Sequence, residues 1–391
     1  MMQWLRIWCI ILLICIGEVY SSEAVVRVVG ATADNAPPPV LTGLCTGTFT
    51  MSQVGVLSFT ETSSLLVHDV APSQQNYDGF GYIVINNGAG TDTAYVYSLD
   101  TFAVTTSAPL NVANVPDSAN TFGGSHYNSF TDLWTVLGNK PAGGGCLNAN
   151  GCVHIRGYAS GSVTALSDII TGTNITGSTF AKAQVDTIFT YVAVENLAVR
   201  RLHQLTTATG ASVQDVSQNS FYELRTQDAT YLYAGEGTVV RYTEKTNFIN
   251  SATFTFVSAG GGVGGLAVND GFIYVGVSSD SIQANRLHKI NLTGFGTTAT
   301  LLFGATEFIQ NVLLDSVNQK LYVILNVAGT TRIKRVDIAT FTVEQTYNGI
   351  VGSNGPRGIH VSIDVPHQKI FAPSSGGGGF VTKIEKVNLC S

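Results

Sequence analysis

Along the chain, apolar residues gather in short runs broken by Gly, Asn, Asp, Ser and Thr. No stretch beyond residue 22 sustains a 3.6-residue apolar period with helix caps. Runs of about four to eight residues that are rich in aromatic and β-branched side chains and bounded by turn formers read as strands. Helical repeats are therefore excluded, and an all-β chain is expected.

The runs repeat. Aromatic-centred segments recur as GYIVIN, DLWTVLG, FTYVAV, YLYAGE, FIYVGV, LYVILN and KIFAPS, carrying Tyr82, Trp134, Tyr191, Tyr233, Tyr274, Tyr322 and Phe371. Their spacing of 41 to 57 residues, about 48 on average, is the size of a propeller blade. An aspartate precedes each of them: Asp78, Asp132, Asp186, Asp228, Asp270, Asp315 and Asp364. Aspartate is poor in strands and favoured in turns, where its carboxylate accepts backbone N–H groups. Each is read as the turn from an inner strand into the aromatic strand, with SHYNSFTD, TFAKAQVD, FYELRTQD, GGLAVND, QNVLLD and GIHVSID as inner strands. Alternating segments such as VYSLDTFAV and KRVDIATFTV follow each aromatic strand and read as a third strand, a turn and an outer fourth strand. The last repeat ends at Cys390 before its fourth strand, and residues 47–59, GTFTMSQVGVLSF, are the natural donor. Closure of this kind removes exposed sheet edges.

These marks specify an all-β single β-propeller of seven four-stranded blades, its N- and C-terminal strands closing the ring. The irregular first two repeats, with APSQQNYDGFG and the loop GNKPAGGGCLNANGC, leave six or eight blades open. Repeats with a turn aspartate, an aromatic strand and a return such as VDIATFTV resemble the YVTN and NHL-type propellers. The closest stretch is NGPRGIHVSIDVPHQKIFA, where Pro356, Gly358, Ile359 and Asp364 match the family pattern. The resemblance spans roughly Leu57 to Leu389, is strongest in the last three units, and is one of fold. Lactonases and other hydrolases among those families make an enzyme a second expectation.

Residues 1–22, MMQWLRIWCIILLICIGEVYSS, place Arg6 before an apolar stretch too short to span a membrane comfortably, followed by small residues. A signal peptide is expected there, then a lead-in over 23–46 and the propeller over 47–391. The mature product is expected to be extracellular, without a membrane span. Removal of the leader takes away Cys9 and Cys15 and leaves Cys45, Cys146, Cys152 and Cys390. In an oxidising compartment an even number favours disulfides. The preferred pairs are Cys146–Cys152, closing a Gly- and Asn-rich loop, and Cys45–Cys390, joining the ends. Asn174-Ile-Thr and Asn291-Leu-Thr are sequons for N-glycosylation.

Only 12% of residues are charged and the formal net charge is -6. Without a basic run, a nucleic-acid partner is not expected. Charges on inner strands then stand out as candidate ligands of the central channel: His126, Lys182, Glu223, Arg225, Arg357 and His360. No HExxH, GxSxG or Asp-rich calcium loop occurs, so no catalytic residue, metal or cofactor is assigned. The glycine clusters at 260–262, 264–265 and 376–379 are read as tight blade connections, and Arg201, Arg241, Arg286 and Arg335 as a solvated stripe in register. The functional expectation is a monomeric extracellular binding or adhesion scaffold for a protein or glycan. A secreted hydrolase or lactonase acting at the channel mouth is the alternative.

Overall fold

The computed structural model describes residues 44–61, 66–71, 79–86, 92–110, 122–128, 133–140, 152–159, 161–163, 165–171, 179–180, 184–186, 188–196, 199–206, 212–218, 223–255, 261–278, 285–349, 360–374 and 381–390. In them the chain forms seven antiparallel sheets. After β1 (Ser52–Ser58) comes a sheet of β2 (Leu66–Ala71), β3 (Phe80–Asn86), β4 (Asp92–Ser98) and β5 (Val104–Leu110). The second holds β6 (Phe122–Asn128), β7 (Leu133–Lys140), β8 (Cys152–Ala159) and β9 (Ala165–Thr171). The third opens with two short strands, β10 (Thr179–Phe180) and β11 (Gln184–Val185), both paired to β12 (Phe189–Asn196), and continues through β13 (Val199–Thr206) and β14 (Ser212–Gln218).

The fourth sheet comprises β15 (Glu223–Gln227), β16 (Tyr231–Glu236), β17 (Val239–Glu244) and β18 (Ser251–Thr255). The fifth comprises β19 (Gly262–Asn269), β20 (Phe272–Ser278), β21 (Arg286–Asn291) and β22 (Thr297–Leu302). The sixth comprises β23 (Phe308–Asp315), β24 (Lys320–Val327), β25 (Thr330–Asp337) and β26 (Thr342–Asn348). The seventh has β27 (Ser362–Asp364), β28 (Lys369–Ser374) and β29 (Lys383–Asn388), with β1 paired antiparallel to β29 as its outer strand. The borrowed strand thus comes from the segment the sequence nominates. Inner strands of successive sheets adjoin one another, which makes the fold a β-propeller.

The seven repeating aromatics lie in the second strands and are all buried. They form the packing between sheets; Tyr82 stacks on Trp134 of the next sheet at 4.6 Å. The turn aspartates hold the strand entries. Asp186 Oδ1 accepts the N–H groups of Ile188 and Phe189 at 3.0 and 2.8 Å, and its Oδ2 accepts the Tyr191 hydroxyl at 2.7 Å. Asp228 repeats the arrangement with Thr230, Tyr231 and Tyr233. Aspartate at this site therefore fixes both the turn and the buried tyrosine five residues later. Asp315 accepts from Asn318 and from Gln368 of the seventh sheet. Asp270, at φ 48°, and Gly271, at φ 74°, form a two-residue hairpin between β19 and β20. Asp78 and Asp132 lie outside the described residues.

Two expectations need correction. Gly264 and Gly265 are not in a blade connection but inside β19. A Cβ on Gly265 would stand 2.4 Å from the Val312 nitrogen and 2.6 Å from the Asn311 carbonyl carbon, so the glycine lets the backbone of β23 approach. The four arginines do not share one register: Arg201 and Arg286 each pair three residues beyond the repeating tyrosine, with Val194 and Val277, whereas Arg241 pairs with Ala234 and Arg335 with Tyr322 itself. Arg335 is also buried, donating to Glu344 and Gln345.

Cys45 and Cys390 form a disulfide across a separation of 345 residues. The segment before β1 is held along the sixth sheet. The Cys45 N–H donates to Asn318 at 2.9 Å, the Phe49 ring covers Lys320 and Arg335, and the Met51 N–H donates to Gln345 at 2.9 Å. Cys146 lies outside the described residues and the Cys152 side chain is likewise not described, so the second pairing stays an expectation.

One buried carboxylate holds two cations. Glu307 is 6% exposed and holds Arg332 and Lys334 at 2.7 Å each, while accepting the Gly304 N–H at 2.7 Å. Burial pushes its pKa up, but these donors outweigh that and bring it down to about 2. A depressed carboxyl contributes stability that is present above its unfolded pKa and is lost as pH falls through the folded one. The stability of the wild type relative to Glu307→Gln is therefore expected to shrink as pH drops from about 4.5 to about 2. Urea midpoints of both proteins at several acidic pH values measure this; a pH-independent difference would refute it.

Candidate functional site

The described channel candidates, His126, Glu223, Arg225 and His360, sit on or beside inner strands. His126 lies on β6 and Glu223 on β15, with side chains outside the description; Lys182 and Arg357 fall outside the described residues. Arg225, on β15, borders a small recess of about 160 Å3 together with Leu266, Asn311 and Leu313. Burial draws its guanidinium pKa down to about 10. His360, just before β27, is buried and does not line that recess.

His360 belongs instead to a polar cluster that the sequence reading missed, because β2 had not been recognised. His68 Nδ1 lies 2.9 Å from the His360 carbonyl oxygen and Nε2 lies 2.7 Å from the Tyr97 hydroxyl. A carbonyl can only accept, so Nδ1 carries a proton and donates to it. On the next residue of β2, Asp69 accepts from Ser362 at 3.0 Å and from the Tyr127 N–H at 2.9 Å. This cluster ties the first, second and seventh sheets together. These hydrogen bonds engage His68, Asp69, Tyr97 and Ser362, which suits a brace better than a reacting centre.

A larger recess of about 710 Å3 lies between the third and fourth sheets. Its floor is Phe189, Tyr191 and Gln204; Ile188 and Val213 stand at its mouth, 59% and 51% exposed. The turn after β17 supplies Lys245 and Thr246. Lys245 is nine-tenths buried, and its Nζ lies 3.7 Å from Asp186 Oδ2 and 5.5 Å from the centre of the Tyr191 ring. Burial lowers its pKa, against the pull of Asp186 and Asp228. Asp186 is also buried in part, which favours its neutral form. The N–H of Phe189, the Tyr191 hydroxyl, the Ile188 N–H and Lys245 prevail and lower its pKa. Gln214 fixes the wall by donating to Gln204 at 2.7 Å and to the Lys245 carbonyl at 3.0 Å, and by accepting the Phe248 N–H at 3.2 Å. An apolar mouth over one ammonium is a recognition pocket in form. No motif in the sequence announces it, since its residues come from two repeats. Only an alignment of the turns after the third strands would have singled out Lys245.

Asn291 ends β21, and its side-chain oxygen accepts the Thr293 N–H at 2.7 Å, so that sequon sits in a turn. Asn174 lies outside the described residues. Among the described residues no helix is long and apolar enough to cross a membrane.

No family model matches the sequence, and no curated protein matches it. Among solved structures, a chain in the crystal structure of the mitotic checkpoint complex aligns with a TM-score of 0.59 at 12% identity, covering 93% of this chain and 100% of that one. Likeness at that identity concerns the propeller fold alone.

Proposed function

We propose that this chain is a binding scaffold that works outside the cell, presenting a rigid ring to a protein or glycan partner. The recess between the third and fourth sheets carries the reading: it joins exposed apolar side chains to a nearly buried ammonium on a closed, cross-linked frame. The remaining well-placed acids and histidines support it too, since Asp69, His68, Asp186 and Asp228 are engaged in holding strands and turns. The leader-like residues 1–22 and the Cys45–Cys390 bond agree with an oxidising, extracellular setting.

Expression of the full chain in cultured eukaryotic cells tests the location. The reading expects protein in the medium with a new N-terminus between Ser21 and Ala24. Retention in the cytosol with residues 1–22 still attached would contradict it. Cross-linking of the purified protein to the surface of living cells, alongside a glycan array, tests the scaffold role. Thr246→Trp, which fills the recess, is expected to lose the partner found in either format; undiminished capture would count against this site.

A further inference from the structure

The sheets of the propeller are imperfect copies, and the copies show what the open recess lacks. In the third sheet Tyr191 pairs with Gln204 and Gln204 with Gln214; in the sixth, Tyr322 pairs with Arg335 and Arg335 with Gln345. Gln214 accepts the Phe248 N–H as Gln345 accepts that of Met51, so the two grooves correspond residue by residue. The groove of the sixth sheet is filled. Phe49 lies 4.9 Å from Arg335 Cζ and 5.4 Å from Lys320 Nζ, and Glu344 supplies a carboxylate 2.7 Å from that ammonium. In the third sheet Val213 stands at the position of Glu344, and among the described residues no ring covers Phe189 and Gln204 as Phe49 covers their counterparts Lys320 and Arg335.

A second irregularity falls at the same place. After the third strand of five sheets, one residue donates its N–H back to the turn between the first and second strands. The pairs are Leu99 to Gly79, Lys245 to Thr230, Leu292 to Gly271, Ile338 to Gln319 and Leu389 to Gln368. Four of these residues are aliphatic; the fifth is Lys245. A cation where the other four of these sheets set leucine or isoleucine breaks the local rule, and such breaks concentrate at functional sites. Its ammonium can donate three hydrogen bonds and, among the described residues, has one carboxylate at ion-pair distance, Asp186 at 3.7 Å. Lys320, by contrast, binds two, Asp337 and Glu344, both at 2.7 Å.

We infer that the recess takes an aromatic side chain of a protein partner together with a neighbouring carboxylate, the ring lying over Phe189 and Gln204 and the carboxylate on Lys245. The ring takes the part of Phe49 and the carboxylate that of Glu344. This rests on the scaffold reading above and narrows its partner to a protein.

The test titrates the purified full chain with acetyl-Glu-Phe-amide, followed by NMR. Saturable binding at millimolar concentration is expected. It should weaken about tenfold for acetyl-Glu-Ala-amide and about fivefold for acetyl-Gln-Phe-amide. Lys245→Leu, which installs the residue of the sister turns, should keep its thermal midpoint and lose the preference for Glu over Gln. Thr246→Phe should abolish binding. A Glu preference that persists in Lys245→Leu, or unchanged affinity in Thr246→Phe, would overturn the inference. So would oligosaccharides that saturate the recess where the dipeptides fail, although the scaffold reading would then survive. If neither probe binds and Thr246→Trp leaves cell-surface capture intact, the inference and the choice of this recess as the scaffold's site fall together.

Discussion

Loss of the Cys45–Cys390 bond is expected to destabilise the folded ring by up to about 5 kcal/mol, because the loop it closes spans most of the chain. In the chain-entropy account, a longer loop means more disorder withheld from the unfolded state, and 345 residues lies beyond the range of common disulfide loops. The native side adds to this. Among the described sheets, the bond takes the place of the third-to-fourth-strand turn in the one whose fourth strand comes from the other end of the propeller. Cys45→Ser, Cys390→Ser and the double variant should show the same lowered urea midpoint, and added reductant should bring the wild type at least down to it. A midpoint that reductant does not move would show that pairing of β1 with β29 suffices to close the ring.

The second large effect is expected from a single methyl group. Gly265→Ala should cost about 3 kcal/mol or more, since its Cβ would collide with backbone atoms of Asn311 and Val312, and β23 cannot retreat without breaking its ladder to β24. Gly262, in the same strand, is the control: nothing lies within 4 Å of a Cβ there. Alanine at 262 should be neutral within about 0.5 kcal/mol. Thermal melts of the two variants decide the matter, and equal midpoints would refute the packing argument.

Much of this architecture was written locally. Strand periodicity, the buried aromatic of each second strand and the turn aspartates are short-range signals, and each repeat restates them. The donor strand was legible too, because a repeat that lacks its outer strand must obtain one. The first inner strand was not. LVHDVA carries no aromatic strand close behind it, and its pairing with β3 crosses an irregular insertion. His68 and Asp69 went unnoticed with it. Gly265 was misread because its reason lies in a neighbouring sheet. The recess was hidden for a related cause: it arises where a side chain is missing, and an absence shows only when corresponding positions of different blades are superposed. Of the six channel candidates, the inner-strand placement of His126, Glu223 and Arg225 follows from the repeat. Which side chains gather there depends on the tilt of each sheet, and alternation along one strand does not carry that information.

The borrowed strand also sets the order of events during synthesis. Ser52 is among the first propeller residues to leave the ribosome and Asn388, its partner, among the last. Until the last repeat of the propeller has been made β1 has no mate, and it carries two valines, Val54 and Val56, that stay half exposed even in the finished protein. Five of the other sheets can assemble from contiguous chain as they emerge, and so can the third with its two short inner strands. The seventh must wait for the beginning of the chain to be handed back to its end. A growing chain of this kind is an open fan with one adhesive edge at each side, vulnerable to pairing with a neighbour until its last strand appears.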